Sequence, residues 1–260
     1  GFLGGSRATP WLIRRVGHVR VFAALASFVS AVLILYPVVV DPVAWTLFRV
    51  AFGFAFSGVY VTAESWLNHA STNETRGQTL SLYLVVQMIG VVAAQGLIVT
   101  ADPGGFVLFI LPSVLVSLSF APILLSVTPT PAFETTRRMT LGRLYRISPL
   151  GVTDMLVMGL LFSAQFGMAA VYGAKAGLSV GQISLFVSMF YIGGLVFQFP
   201  IGWASDRFDR RGLIIATAVV GSLGALIPLV LPGFLAGLLA AFFIGGMTSP
   251  LSTNRSGRRC

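Results

Sequence analysis

The sequence predicts an all-α polytopic membrane protein, and three observations lead there. Of its 260 residues, 56% are apolar and only 10% are charged, whereas an ordinary soluble domain has roughly a quarter charged. The mean hydropathy is +0.89. The apolar residues gather into eight stretches, each about as long as the roughly 20 residues that a spanning helix needs. A soluble globule could not cover its surface with so few charges. A disordered chain would be poor in apolar residues. Barrel strands would be about ten residues long and would alternate apolar with polar, and that alternation is absent.

The stretches run over 21–40, 43–67, 78–100, 105–127, 150–173, 181–204, 213–231 and 234–251. Turn residues separate them. Asp41-Pro42, Asp102-Pro103-Gly104-Gly105 and Pro232-Gly233 mark three tight connections. Asn73 to Gly77, Gly177 to Gly181 and Ser205 to Gly212 mark three more. One break is long: residues 128–149 hold Pro129, Pro131, Arg137, Arg138, Arg143 and Arg146. It divides the chain into 1–127 and 150–251, with four stretches each, followed by a polar tail at 252–260.

The net charge of +9 and the pI near 10.8 would suggest nucleic acid if read alone. The positions of the charges say otherwise. Of 17 Lys and Arg, all but Arg49 and Lys175 fall in alternate breaks or at the ends. Arg49 lies inside a stretch, and Lys175 stands alone on the opposite side. The positive-inside rule makes the basic side cytoplasmic. An even number of spans puts both ends there, in a multi-pass protein of the inner (plasma) membrane. Basic residues therefore mark topology, and nucleic acid is excluded as a partner. Trp45 and Trp66 stand roughly 31 Å apart along one helix, a spacing that suits two interfacial anchors.

Enzyme chemistry finds little to build on. The one cysteine is Cys260, so no intrachain disulfide forms. His18 and His69 read as residues of cytoplasmic loops. No metal-ligand cluster or catalytic triad assembles from the text, and no cofactor is expected.

Two basic segments match each other. The first is Leu12-Ile13-Arg14-Arg15-Val16-Gly17-His18-Val19-Arg20, and the second is Gly202-Trp203-Ala204-Ser205-Asp206-Arg207-Phe208-Asp209-Arg210-Arg211-Gly212. Aligning Arg15 with Arg207 places Gly17 over Asp209, at an offset of 192 residues, 207 less 15. Each is a tight basic turn that leads into an apolar helix. Parallel repeats of this kind build one large class of transporter.

Gly202-x-x-x-Asp206-Arg207-x-x-Arg210-Arg211 resembles the signature loop of the major facilitator superfamily. It departs from the usual pattern at Asp209, where glycine is common. The first copy has Arg14 where the acid is expected. Arg49-x-x-x-Gly53 resembles the helix-four motif of that family. Ala63-Glu64-Ser65-Trp66-Leu67-Asn68-His69 and Arg14-Arg15-Val16-Gly17-His18 resemble its YcaD-like branch. The resemblance covers residues 1 to about 251. It implies that the eight stretches are helices three to ten of a six-plus-six bundle. Helices one, two, eleven and twelve would then be missing, residues 1–6 would be the tail of helix two, and the tail after Pro250 would mark a change of reading frame.

Helical spacing gathers the polar residues of the spans into stripes. Asp154, Gln165 and Tyr172 share one direction on 150–173. Arg49, Gly53, Tyr60 and Glu64 share one on 43–67, and Tyr83, Gln87, Gly90 and Ala94 one on 78–100. Ionisable groups in spans are costly, and usually face a cavity or a partner. The resemblance makes the first two helices lining elements of a central cavity. Arg49, Tyr60, Gln87, Asp154 and Gln165 are thus the candidates for a substrate and coupling path. The resemblance also implies a cytoplasmic gate. In it Arg15 pairs with Glu64, and Asp206, held by Arg207, approaches the helix N-terminus at Gly77-Gln78-Thr79. Gly17, Gly202, Arg210 and Arg211 complete the two signature segments. Small-residue ridges at Gly233, Gly237, Ala241 and Gly245, and at Ala23, Ser27 and Ala31, are expected to support close packing.

The functional expectation is secondary active transport of a small solute by alternating access. The partners are the lipid bilayer, a small-molecule substrate and protons as the candidate coupling ion. Helix five lacks a glycine-proline pair, which counts against drug export. Two other readings stand beside it: a sensor or scaffold that keeps the transporter fold, and an inactive piece of a disrupted transporter gene.

Overall fold

Asp41, Ser148 and Asp209 each accept a hydrogen bond from the backbone N–H three residues on, and each opens a long apolar helix. Such caps satisfy N–H groups that a helix start leaves unpaired. The computed structural model describes residues 1–72, 75–102, 104–125, 141–207 and 209–253. The side chains of Leu141, Leu150, Asp154, Met155, Phe166, Ser205, Asp206, Arg210, Arg211 and 249–253 lie outside that description.

The described residues are helical, joined by short turns. In chain order the helices are α1 (Phe2–Val16), α2 (His18–Val38), α3 (Pro42–Ala70), α4 (Arg76–Ile98), α5 (Val107–Ser119), α6 (Ala121–Leu125), α7 (Leu141–Ile147), α8 (Pro149–Lys175), α9 (Val180–Arg207), α10 (Arg210–Val230) and α11 (Phe234–Thr253). Seven are long and apolar enough to span a membrane, taking α5 and α6 together. The eighth expected span is shorter: α11 is apolar over Phe234–Thr248.

The remaining differences from the sequence reading have local causes. The expected basic turn before residue 21 is helical almost throughout, since α1 runs to Val16 and α2 starts at His18. Only Gly17 breaks the run, with φ 86° and ψ 164°, a region open essentially to glycine alone. The stretch 105–127 divides at Phe120. Pro122 has no N–H for the carbonyl of Leu118, and its ring crowds that turn. The break at 128–149 contains α7 at its end, and its residues 128–140 lie outside the described part, as does the tail beyond Thr253.

The chain divides into two units. Unit 1 is Gly1–Leu80 with Ala101–Thr136, and unit 2 is Ser81–Thr100 with Arg137–Cys260. In unit 1, α2 and α1 both pack on α3, and α5 packs on α2. Ile13, Val21, Leu25, Val29 and Ala55 form its buried cluster. The packed stripe of α2 is Val21, Leu25, Val29, Val32 and Tyr36. The expected ridge of Ala23, Ser27 and Ala31 is therefore not the buried face, and Ser27 and Ala31 are exposed. Side-chain volume does not decide this, since Ala26 and Ser30 are also buried while Phe28, Ile34 and Leu35 are exposed. Ser30 joins α2 to α5, with its hydroxyl 2.7 Å from that of Ser113 and 2.8 Å from that of Ser117.

In unit 2, α11 packs on α9 and α10, and α8 packs on α9. Most of the expected ridge on α11 is in use. Ala241 is buried, and a Cβ at Gly245 would collide with the backbone of Phe190 on α9. Gly233 instead forms the preceding turn, with φ 120°. The α4 end of this unit meets α9, where the Ser184 hydroxyl donates to the carbonyl of Gln95.

The two units repeat each other in detail. A Cβ on Gly1 would strike the carbonyl oxygen of Val50 and crowd the nitrogen of Phe54. A Cβ on Gly193 would strike the carbonyl oxygen of Phe242 and crowd the nitrogen of Gly246. All three pairs of positions are related by the offset that aligns Arg15 with Arg207. Elsewhere the interfaces trade volume across the contact. Gly5 lies against Phe54 in unit 1, and Phe197 against Gly246 in unit 2. Val29 and Ala55 share the unit 1 cluster, while Gly221 takes Met247 at the equivalent place.

Candidate functional site

One face of α3 carries Arg49, Phe52, Phe56 and Tyr60. Phe52 and Phe56 stack with centroids 5.3 Å apart, and Phe56 meets Tyr60 edge-on at 4.9 Å. The stripe of Arg49 and Tyr60 is thus filled in by rings. Arg49 is exposed and stands beside an open recess of about 520 Å³ within unit 1. Tyr36, Trp45, Phe52 and Phe109 supply its aromatic wall. Tyr36 stacks on Phe109 at 5.9 Å and meets Trp45 edge-on at 5.5 Å. Trp45 donates its indole N–H to the carbonyls of Val39 at 2.8 Å and Tyr36 at 3.1 Å. These carbonyls lie at the end of α2, where the helix leaves acceptors unpaired. Trp45 therefore caps a helix as well as standing near the end of a span. The sequence reading missed this recess. Its signal was there in the aromatics on both sides of Asp41-Pro42: Tyr36, Trp45 and Phe48.

The basic end of α1 brings together residues that were read as loop. His18 opens α2, is 1% exposed and lies 3.2 Å from the Ser65 hydroxyl. Its ring centroid is 6.0 Å from that of His69, in the last turn of α3. The two histidines are therefore helical residues. The expected ion pair between Arg15 and Glu64 is not formed. Glu64 is exposed, and the Arg15 guanidinium lies over the ring of Trp11, 4.9 Å from its centroid. Trp11 is one helical turn earlier on α1, so this contact needs no reach between helices.

The second signature segment has the same build. Gly202, Trp203 and Arg207 lie within α9, and the Arg207 guanidinium sits 4.1 Å from the Trp203 ring centroid. Asp209 replaces the usual glycine and works by another route. Its φ is −60°, and its carboxylate accepts from the N–H of Gly212 at 3.2 Å. The break is thus made by a cap in unit 2 and by a left-handed glycine in unit 1. The side chains of Asp206, Arg210 and Arg211 fall outside the described residues.

The other path candidates lie in unit 2. Gln87 is a half-buried residue of α4. Gln165 on α8 has its amide nitrogen buried without a hydrogen-bond partner among the described residues. The Asp154 side chain lies outside them. Tyr172, the third residue of that stripe, packs against Phe186 at 5.9 Å. No group of three or more metal-ligating side chains occurs among the described residues.

Residues 151–254 match the family model of the Major Facilitator Superfamily. The chain is 24% identical over 233 residues to the uncharacterized MFS-type transporter YcaD of Salmonella arizonae, covering 88% of this chain and 60% of that one. It is 27% identical over 210 residues to the uncharacterized MFS-type transporter YfkF of Bacillus subtilis, covering 78% and 53%. The chain thus spans three fifths or less of the length of these relatives. Among solved structures it is similar to a D-xylose-proton symporter, with a TM-score of 0.66 and 16% identity, over 95% of this chain and 66% of that one. That likeness shows a shared fold. The match over residues 151–254, the sequence relatives and the fold thus agree in one respect: this multi-pass membrane protein is similar to transporters of the major facilitator superfamily.

Proposed function

We propose that the chain takes part in secondary active transport of a small solute by alternating access. The observation that carries this reading is the repeated contact of Gly1 with Val50 and of Gly193 with Phe242. Parallel repeats of one helical unit are the architecture on which such transporters work. The names of its relatives, uncharacterized MFS-type transporters, point the same way. The neighbouring fold belongs to a proton symporter, which supports protons as the coupling ion.

In this reading the path residues are Arg49 and Tyr60 on α3, Gln87 on α4, and Asp154 and Gln165 on α8. A buried amide without a partner, like that of Gln165, costs free energy unless something binds it, and a passing solute can supply that partner. Arg15, Gly17 and Glu64 on one side, and Gly202, Asp206, Arg207, Arg210 and Arg211 on the other, form the gate segments. The basic ends face the cytoplasm, in an inner (plasma) membrane, by the positive-inside rule.

The test is uptake by the purified chain in liposomes with an imposed proton gradient, across a panel of small organic acids. Accumulation that collapses with an uncoupler is the expected result. Equal uptake with and without the gradient for every solute would overturn the coupling. No uptake above empty liposomes would favour a sensor or an inactive chain.

A further inference from the structure

The geometry points to the recess of unit 1 as a binding site for an organic anion with a flat apolar body. Arg49 lies about 10 Å along α3 from Pro42, inside an apolar span. A guanidinium there is costly unless an anion or water compensates it. Among the described residues Arg49 has no ion pair within 4.0 Å and no hydrogen bond. The acids of the neighbouring turns, Asp41 and Asp102, cap their own backbone instead of pairing with Arg49. Asp41 accepts from the N–H of Ala44 at 2.8 Å, and Asp102 from that of Gly104 at 3.0 Å.

The remaining donors in the recess narrow the ligand. The Thr46 hydroxyl donates to the carbonyl of Pro42, and the Trp45 indole N–H is spent on α2. What is left facing the recess is the guanidinium of Arg49, which is exposed. The Tyr36 hydroxyl is buried and closed to solvent, so Tyr36 offers the recess its ring and not its donor. A single charged, forked donor suits one carboxylate or phosphate group. The walls are rings of Trp45, Phe52 and Phe109, which suit a flat apolar body. A polyol would need many more polar partners than one guanidinium, and a cation would be repelled. The volume of about 520 Å³ lies within the usual span of small-molecule sites, roughly 300–1,000 Å³.

The anionic group can come from a free solute or from a lipid headgroup, and the experiment separates them. Radiolabelled 1-naphthoate is titrated onto the purified chain in phosphatidylcholine nanodiscs by scintillation proximity. Neutral 1-naphthamide and inorganic phosphate serve as competitors, and the titration is repeated with phosphatidylglycerol in the disc. Saturable naphthoate binding is expected, with naphthamide weaker by roughly tenfold or more. Arg49→Gln should lose binding by a similar factor, Arg49→Lys should keep part of it, and Tyr36→Phe, which keeps the ring of the wall, should leave binding within about twofold. Thermal unfolding shows that each variant is folded. Loss of naphthoate binding in phosphatidylglycerol discs would make the lipid headgroup the occupant of the same anion site. Naphthamide binding as well as naphthoate, or unchanged binding in folded Arg49→Gln, overturns the proposal. Binding is read without transport, so failed uptake leaves this inference standing, and its failure leaves the transport reading untouched.

Discussion

The guanidinium of Arg207 lies 4.1 Å from the ring centroid of Trp203, one helical turn earlier on α9. Arg15 makes the same contact with Trp11, at 4.9 Å, near the end of α1. The two pairs occupy equivalent positions in the two units. Each holds a signature arginine along its own helix. An exposed contact of this kind contributes about 0.5–1 kcal/mol. Trp203→Ala should therefore destabilise unit 2 by about that amount, and Trp203→Phe by less, since a ring remains. Thermal unfolding in detergent reads both. Equal stability of Trp203→Ala and the parent chain would show that the arginine gains nothing from the ring.

The breaks after these arginines should respond differently to one substitution. Gly17 has φ 86° and ψ 164°, so Gly17→Ala forces a side chain into a glycine-only region at about 1–3 kcal/mol. Asp209 is a cap with ordinary φ. Asp209→Ala should cost about 1 kcal/mol, whereas Asp209→Gly should cost only a few tenths. Stability measured for the three variants checks the order. A neutral Gly17→Ala would mean the turn can relax.

These two breaks also show what a sequence reveals. The apolar stretches and the offset between Arg15 and Arg207 were legible, because hydropathy and spacing are properties of the string. The helical state of Arg14 and Arg15 was not. Basic residues look like loop, yet α1 continues until a residue breaks it, and only Gly17 does. The buried face of α2 was misread for a related reason. Small residues at four-residue spacing signal close packing only where a partner backbone approaches. Gly193 and Gly245 have one, and Ser27 and Ala31 have none. The recess beside Arg49 left only the aromatics around Asp41-Pro42 as a trace, because Tyr36, Trp45 and Phe109 sit on three helices, and only the fold brings them together.

Gly193 provides a sharp test of the backbone contact. Its Cβ would strike the carbonyl oxygen of Phe242, which is backbone and cannot swing aside. Gly193→Ala must push α9 from α11, and overpacking of that kind costs about 1–3 kcal/mol, sometimes more. Gly90 on α4 has nothing within 4 Å of an added Cβ. Gly90→Ala should be neutral or slightly stabilising, given the helix propensity of alanine. Detergent unfolding of the two variants should separate clearly. Similar stabilities would mean that the helices can shift apart freely.

Ser30 carries a different kind of contact. Its hydroxyl lies 2.7 Å from that of Ser113 and 2.8 Å from that of Ser117, and it also reaches the carbonyl of Ser113 at 3.1 Å. Interhelical hydrogen bonds in membrane proteins average about 0.6 kcal/mol and reach about 1.7. Ser30→Ala should fall in that range, on the high side, because Ser113 is buried. Ser117→Ala should cost less, since Ser30 keeps Ser113. A double-mutant cycle on Ser30 and Ser113 measures the coupling, and a coupling of zero would mean that their proximity carries no energy.

Trp45 joins a helix end to the wall of the recess, and its two roles can be separated. Trp45→Phe keeps a ring beside Tyr36 and Phe109 but removes the N–H that serves the carbonyls of Tyr36 and Val39. A lost hydrogen bond of this kind costs about 0.5–1.5 kcal/mol. The Val39 carbonyl is the exposed one of the two, so water can replace part of the loss, and the low end of that range is expected. Trp45→Ala removes the ring contacts as well, worth about 0.5–1.5 kcal/mol more for aromatic pairs. It also opens the recess in which Arg49 stands. Binding of 1-naphthoate should therefore survive Trp45→Phe and weaken in Trp45→Ala, while stability falls in both. If Trp45→Phe lost binding as fully as Trp45→Ala, the indole N–H would have to serve the ligand, and the assignment of that donor to α2 would be wrong.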